Sequence, residues 1–193
     1  MLRKRTTPAL RPATVLVIAG ALLVFLGPHA SADETDPLTG SGSDNEFSEV
    51  VDGDFTFRWR VDGDELEAVM SAPTTGYVSV GFHPTVMMMS AEIVIGYVEN
   101  GVAHIQHHFG TGPVSHESLE SLGEEGHVTV VDASEVDGVT TIRFRMPLSY
   151  GGEYDRPLVP GESTPVIWAY GPDGANNFAD YHGDDAGSFE IDL

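Results

Sequence analysis

The sequence predicts an all-β protein, an antiparallel sandwich of about nine short strands, and three observations carry that prediction. Short runs alternate apolar and polar residues, as in "FTFRWRV", where Phe55, Phe57, Trp59 and Val61 alternate with Thr56, Arg58 and Arg60. A two-residue period marks a half-buried strand. Turn signals recur between these runs, and no segment carries a sustained helical stripe.

The N-terminus is read apart from the fold. "MLRKRTTPALR" is basic, "TVLVIAGALLVFLG" is an apolar run of 14 residues, and Ala30-Ser31-Ala32 supplies an A-x-A cleavage signal. Together they form an export signal, with cleavage expected after Ala32 and a secreted, extracytoplasmic product. A membrane anchor is the competing reading, but a span needs about 20 apolar residues. Residues 33–50, "DETDPLTGSGSDNEFSEV", are acidic and rich in Gly and Ser, and read as a flexible leader to a domain over 51–193.

From there each strand follows from its pattern. After "FTFRWRV" come "ELEAVMS", "GYVSVGF", "EIVIGYVE", "VAHIQHH", "HVTVVD", "TTIRFRM", "TPVIWAY" and "SFEIDL". "TTIRFRM" places Ile142, Phe144 and Met146 on one face and Thr141, Arg143 and Arg145 on the other. "VDGD" at 51–54 and 61–64 and "VDG" at 136–138 are turns, and Asn100-Gly101 joins two strands in a hairpin. Trp59 and Trp168 both lie in strand patterns and are expected in the core. Two long stretches, 109–126 and 171–187, interrupt the pattern, and function concentrates on loops of this kind.

Composition excludes several functions. Of nine basic residues, four lie in the export signal, which leaves five arginines against thirty acids and a mature net charge of −25. Nucleic acid and anionic lipid both require basic patches and are excluded as partners. Such a charge suits solubility in high salt and a halophilic source. The chain has no cysteine, hence no disulfides, iron–sulfur cluster, thiolate metal site or C-x-x-C-H haem attachment.

The chain contains no G-x-S-x-G elbow, P-loop or H-E-x-x-H, so hydrolysis has no support. His104-x-x-His107-His108 resembles a metal motif, but on a strand His104 and His108 share a face about 13 Å apart, too far for one ion. They read as polar strand-end histidines. The acidic turns lack a full EF-hand loop, and a weak calcium site in 171–187 stays open. Methionine and histidine remain. Thioether and imidazole are the axial pair of many electron-transfer haems. The chain carries a methionine triplet, Met87-Met88-Met89; if extended there, Met88 points away from its neighbours.

Several phrases together resemble the DOMON family. They are "GYVSVGF", "M-x-x-A-E-I-V-I-G-Y-V-x-x-G" from Met88, "HHFGTGPVSHESLESLGEEG", "TTIRFRMPLSYGGEYDRPLVPG", "VIWAYG" and "YH" at 181–182, in order over roughly residues 50–193. The resemblance implies an immunoglobulin-like β-sandwich of nine to eleven strands that binds haem or sugars, as in the cytochrome domain of cellobiose dehydrogenase. It selects Met88 and His182 as axial ligands of a non-covalent haem b. Glu92 stands where aspartate is usual and Ser90 where glycine is common. "DDAG" replaces an "R-G" after the histidine, whose arginine could pair a haem propionate; Arg143, Arg145 and Arg156 are the remaining candidates. His116 falls in "GTGP-x-SH", typical of small secreted bacterial members, as an alternative axial ligand or a loop-ordering donor. Tyr181 and Trp168 join the expected pocket.

The implied function is electron transfer or redox sensing with a redox partner protein or membrane cytochrome, the acidic surface favouring a basic partner. A carbohydrate-binding module is the alternative, with Asn176, Asn177, Phe178, Asp180 and Tyr181 as its surface. An acidic interaction domain with an empty pocket is the third.

Overall fold

The computed structural model describes residues 46–193; the export signal, its cleavage site and the leader up to residue 45 lie outside the described residues. Eleven strands build it: β1 Ser48–Asp52, β2 Phe55–Asp62, β3 Glu65–Ala72, β4 Val78–Phe82, β5 Glu92–Glu99, β6 Val102–Gly112, β7 Ser115–Ser118, β8 Thr129–Val136, β9 Val139–Pro147, β10 Ser163–Tyr170 and β11 Ala186–Asp192. They form two antiparallel sheets, ordered β1-β2-β3-β9-β8 and β11-β10-β4-β5-β6-β7.

Alternation creates the core. The first sheet turns Phe55, Phe57, Trp59, Leu66, Met70, Ile142, Phe144 and Met146 inward; the second answers with Val78, Val80, Phe82, Val94, Val166, Trp168 and Tyr170. Both tryptophans lie in this core. The Trp168 indole stacks on Phe55 with centroids 4.9 Å apart and donates to Asp52 Oδ2 at 2.8 Å. Gly187, opposite Trp168 across the β10–β11 ladder, has no side chain because a Cβ there would lie 2.7 Å from the indole.

The turns follow their sequence signals. Asn100 and Gly101 both have positive φ, 53° and 75°, which gives the tight hairpin between β5 and β6. Two strands have no clear sequence signature. β1 takes in Ser48–Val50, the end of the stretch read as leader, by pairing Ser48 with Trp59 and Val50 with Phe57. β7 is four polar residues held only by β6.

The outer face of the first sheet gathers four of the five arginines of the described residues. Glu67 is fully buried there; it accepts hydrogen bonds from Arg60 Nη2 at 2.8 Å and Arg145 Nη2 at 2.6 Å and pairs with Arg143. Burial alone raises a carboxyl pKa, but the three guanidiniums outweigh it and hold Glu67 at about 2. Phe47 covers this face, its ring centroid 4.9 Å from the Arg60 guanidinium carbon.

Candidate functional site

The outer face of the second sheet carries a separate apolar cluster, with Tyr77, Ala91, Ile93, Ile95 and Ala175 buried and Met88, Tyr97, Ile167 and Phe178 packed against them. Beside it opens a cavity of about 330 Å³, whose walls include Met87, Met88, Pro113, His116 and His182. Its floor is made of small outward-facing positions on adjacent strands, Ser79 and Gly81 on β4 and Ala169 on β10, flanked by Ile93, Ile95 and Ile167. Gly81 lets the two isoleucines beside it pack closely across β4: a Cβ there would sit 2.9 Å from Ile167 Cγ1 and 3.1 Å from Ile93 Cγ1. The volume and apolar lining suit a small-molecule or cofactor site.

Met88 reaches the cavity on a tight turn. The triplet is not extended: Val86 and Met89 form an isolated bridge, and Met87 and Ser90 have φ of 53° and 65°. Extension is ruled out because the short connection from β4 to β5 must reverse the chain. Ser90, where glycine was expected, occupies a left-handed conformation that glycine adopts at lower cost. Met87, 63% exposed, stands at the cavity rim, and Met88 is half-buried.

Three backbone bonds clamp this turn against β6 and the β6–β7 connection, and a fourth closes the turn on itself. Met88 N–H donates to Pro113 O at 3.3 Å, Ala91 N–H to Met88 O at 3.1 Å, Ser90 N–H to Gly110 O at 2.8 Å and Gly110 N–H to Ala91 O at 2.9 Å. Gly110 is obligatory, since its Cβ would fall 1.7 Å from Met88 O.

Glu92, the acid after the turn, points into the sandwich and is 2% exposed. Its Oε2 accepts from Arg156 N–H at 3.1 Å, and its Oε1 lies 2.9 Å from His107 Nε2. His107 Nδ1 accepts the His127 N–H at 3.2 Å, which leaves Nε2 facing the Glu92 carboxylate. One buried pair therefore ties the start of β5 to two separate loops.

His182 comes from the 171–185 connection and is anchored indirectly. Tyr77 Oη donates to Asp180 O at 2.9 Å, and burial, helped by the Asp180 charge, pushes that phenol up to about 12. His182 Nδ1 is a buried atom with no hydrogen-bond partner among the described residues.

His116 enters from β7. Gln106 Oε1, which can only accept, lies 2.8 Å from His108 Nε2, and His108 Nδ1 lies 2.8 Å from His116 Nδ1. Burial, with smaller effects from His116 and His107, lowers His108 to about 4, and burial lowers His116 as well, so both rings are neutral at pH 7. Neutral His108 then donates through Nε2 and accepts at Nδ1 from the His116 Nδ1–H.

The structure thus brings Met88, His182 and His116 to one cavity. Trp168 borders it from β10 while its indole stays in the core, and Tyr181, 77% exposed, is not part of the lining. None of Arg143, Arg145 and Arg156 lines the cavity: alternation puts the first two on the outer face of the other sheet, and the Arg156 guanidinium sits over Phe109. His107 and His108 are not strand-end residues, because β6 runs on to Gly112 and buries both. Among the described residues no three His, Asp or Glu converge on a metal position, the acids of 171–187 included. In the polar–aromatic set of that loop, Asn177 Oδ1 is taken up by the Ala179 and Asp180 amides, and Phe178 packs on Tyr97 and His108.

Sequence reasoning missed Gln106, His108, Gly81 and Gly110 as parts of the site. The strand parity that pairs Ile93 with His108 and Ile95 with Gln106 was available; their partner on β7 was not, since β7 has no signature of its own.

The sequence model of the DOMON domain family matches residues 51–171. DBH-like monooxygenase protein 1 of Mus musculus is 30% identical over 139 residues, covering 69% of this chain and 22% of that protein. The Homo sapiens protein of the same name is 28% identical over 157 residues, covering 80% and 25%. The chain thus spans about a quarter of these relatives' length. Two solved structures share the fold: the cytochrome domain of Myriococcum thermophilum cellobiose dehydrogenase, at TM-score 0.59 and 14% identity, and the cytochrome b domain of pyranose dehydrogenase from Coprinopsis cinerea, at 0.59 and 16%. Each likeness covers 76% of this chain and 81% of the other. With the family model covering more than half of its length, the chain belongs to the DOMON domain family.

Proposed function

We propose that this protein is a secreted electron-transfer module that binds haem b non-covalently, with Met88 and His182 as axial ligands. One observation carries the reading: a thioether and an imidazole from two separate loops line one apolar cavity, and Nδ1 of the imidazole has no hydrogen-bond partner among the described residues. The donor chemistry fits the group, because neither ligand must lose a proton and both hold iron in either redox state. Gly81 lets the Ile93 and Ile167 side chains close over β4, which makes the floor of the cavity apolar. That the two solved relatives are cytochrome domains supports the same assignment.

The bound haem would supply one-electron chemistry. The chain's own part is to bind, orient and exclude water. The clamp at Gly110 fixes Met88, the Tyr77–Asp180 bond tethers the His182 loop, and Ile93, Ile95 and Ile167 form a dry floor. With no arginine in the lining, propionates would face solvent or polar side chains rather than a guanidinium. The acidic surface suits a basic redox partner, docking more weakly as salt rises. The carbohydrate reading is less favoured, because two of its groups, Asn177 Oδ1 and the Phe178 ring, are engaged within the fold.

The test is an absorption spectrum of the mature protein reconstituted with haem. A six-coordinate low-spin spectrum with sharp α and β bands on reduction is expected. His182→Ala should lose haem affinity, and Met88→Ala should lose the thioether signature and lower the reduction potential. A folded protein that takes up no haem would refute the proposal.

A further inference from the structure

The site holds one donor more than two axial positions need, and the surroundings of that donor are organised. His116 uses Nδ1 to donate to His108, so its lone pair is confined to Nε2, and Nε2 has no hydrogen-bond partner among the described residues. His108 is in turn fixed by Gln106 Oε1, whose carbonyl sets the direction of the whole chain. An imidazole whose second nitrogen is bonded in this way has its tautomer and ring plane set as a metal ligand requires. A histidine serving only to order its loop would turn a nitrogen toward backbone; this one turns Nδ1 to another side chain and is itself part of the cavity wall.

His116 also shares a wall with Met88. The Met88 N–H is bonded to Pro113 O in the β6–β7 connection, three residues before His116 on β7, whereas His182 comes from a different loop. Any competition for a ligand position is therefore with Met88. Resting on the haem reading above, we propose that His116 Nε2 is a second occupant for the axial position on Met88's side of the cavity, and that Gln106 and His108 are positioning residues that hold it in the ligating tautomer. The two donors differ in kind: sulfur favours the reduced metal and a higher potential, and imidazole favours the oxidised metal.

The experiment uses the mature protein reconstituted with haem, with folding checked by far-UV circular dichroism. Met88→Leu, which keeps the volume of the side chain, should retain a low-spin ferric spectrum because His116 supplies the second ligand. Met88→Leu combined with His116→Leu should lose it and become high-spin. Gln106→Leu in the Met88→Leu background should raise the high-spin fraction, and Gln106→Glu, which still accepts from His108, should restore the low-spin form. A high-spin spectrum in Met88→Leu alone, or a low-spin one in the double variant, overturns this assignment and leaves the haem reading standing. Failure of the wild type to take up haem overturns both.

Discussion

Gly110 gives the sharpest structural prediction. A Cβ on residue 110 would lie 1.7 Å from Met88 O, whereas such contacts do not fall below 3.0 Å, so Gly110→Ala must drive the carbonyl back by about 1.3 Å. The obstacle is backbone, clamped on both sides, and cannot rotate away as a side chain could. The displacement breaks the Ala91-to-Met88 bond and strains the Met88-to-Pro113 bond. At about 1 kcal/mol net per hydrogen bond and 1–3 kcal/mol for overpacking, the loss is about 3 kcal/mol. For a domain of this size that lowers Tm by about 6–12 °C. Thermal melts followed by circular dichroism measure the first effect, and a haem titration measures the second, a loss of affinity as Met88 leaves its position. A Gly110→Ala protein that melts within a degree or two of wild type and takes up haem unchanged would refute the clamp.

Three further outcomes are expected. Glu67→Gln removes the buried carboxylate that three guanidiniums share and should destabilise the domain by about 3 kcal/mol, read by denaturant titration; an unchanged midpoint would contradict the buried-pair account. Glu67, depressed in the fold from 4.5 to about 2, contributes stability that is present above about pH 4.5 and lost as pH falls through about 2. His108 is also depressed, from 6.5 to about 4, so unfolded chains take up its proton first and stability should fall between pH 6.5 and 4. His108→Phe should flatten that part of the pH–stability profile, and a profile unaltered by the substitution would count against the neutral His108–His116 pair. Gly81→Leu places a side chain on the cavity floor between Ile93 and Ile167; it should abolish haem uptake while the sandwich still folds, and retained uptake would mean that the cofactor does not use this floor.

The legible part of this fold was the part set by alternation. The runs that form β2 and β9 announce themselves by two-residue periodicity, those of β3 to β6, β8, β10 and β11 by short apolar stretches between turn signals, and the glycine turns join them. β1 and β7 were not legible because neither buries its own apolar face; each exists because a neighbour offers an open edge, β2 to Ser48–Asp52 and β6 to Ser115–Ser118. The same difference runs through the site. Met88 and His182 emerged from a resemblance in motifs, and their meeting depends on two loops converging on the outer face of one sheet. His108 reads as a polar strand-end residue because periodicity says which face a side chain takes, not what covers that face. Phe178 and His116 cover it, and both come from segments with no strand pattern. The turn at Met87–Ser90 could not be read from local propensity either, since methionine and serine seldom take positive φ without a surrounding clamp.

The most direct test of the account is an equilibrium titration of the folded mature protein with haem, followed at the Soret band alongside His182→Ala. Saturation at one haem per chain, with affinity lost in His182→Ala while its circular dichroism spectrum stays that of the β-sandwich, is the predicted result. A titration without saturation, or one indifferent to His182, would contradict the claim that this cavity is a haem site.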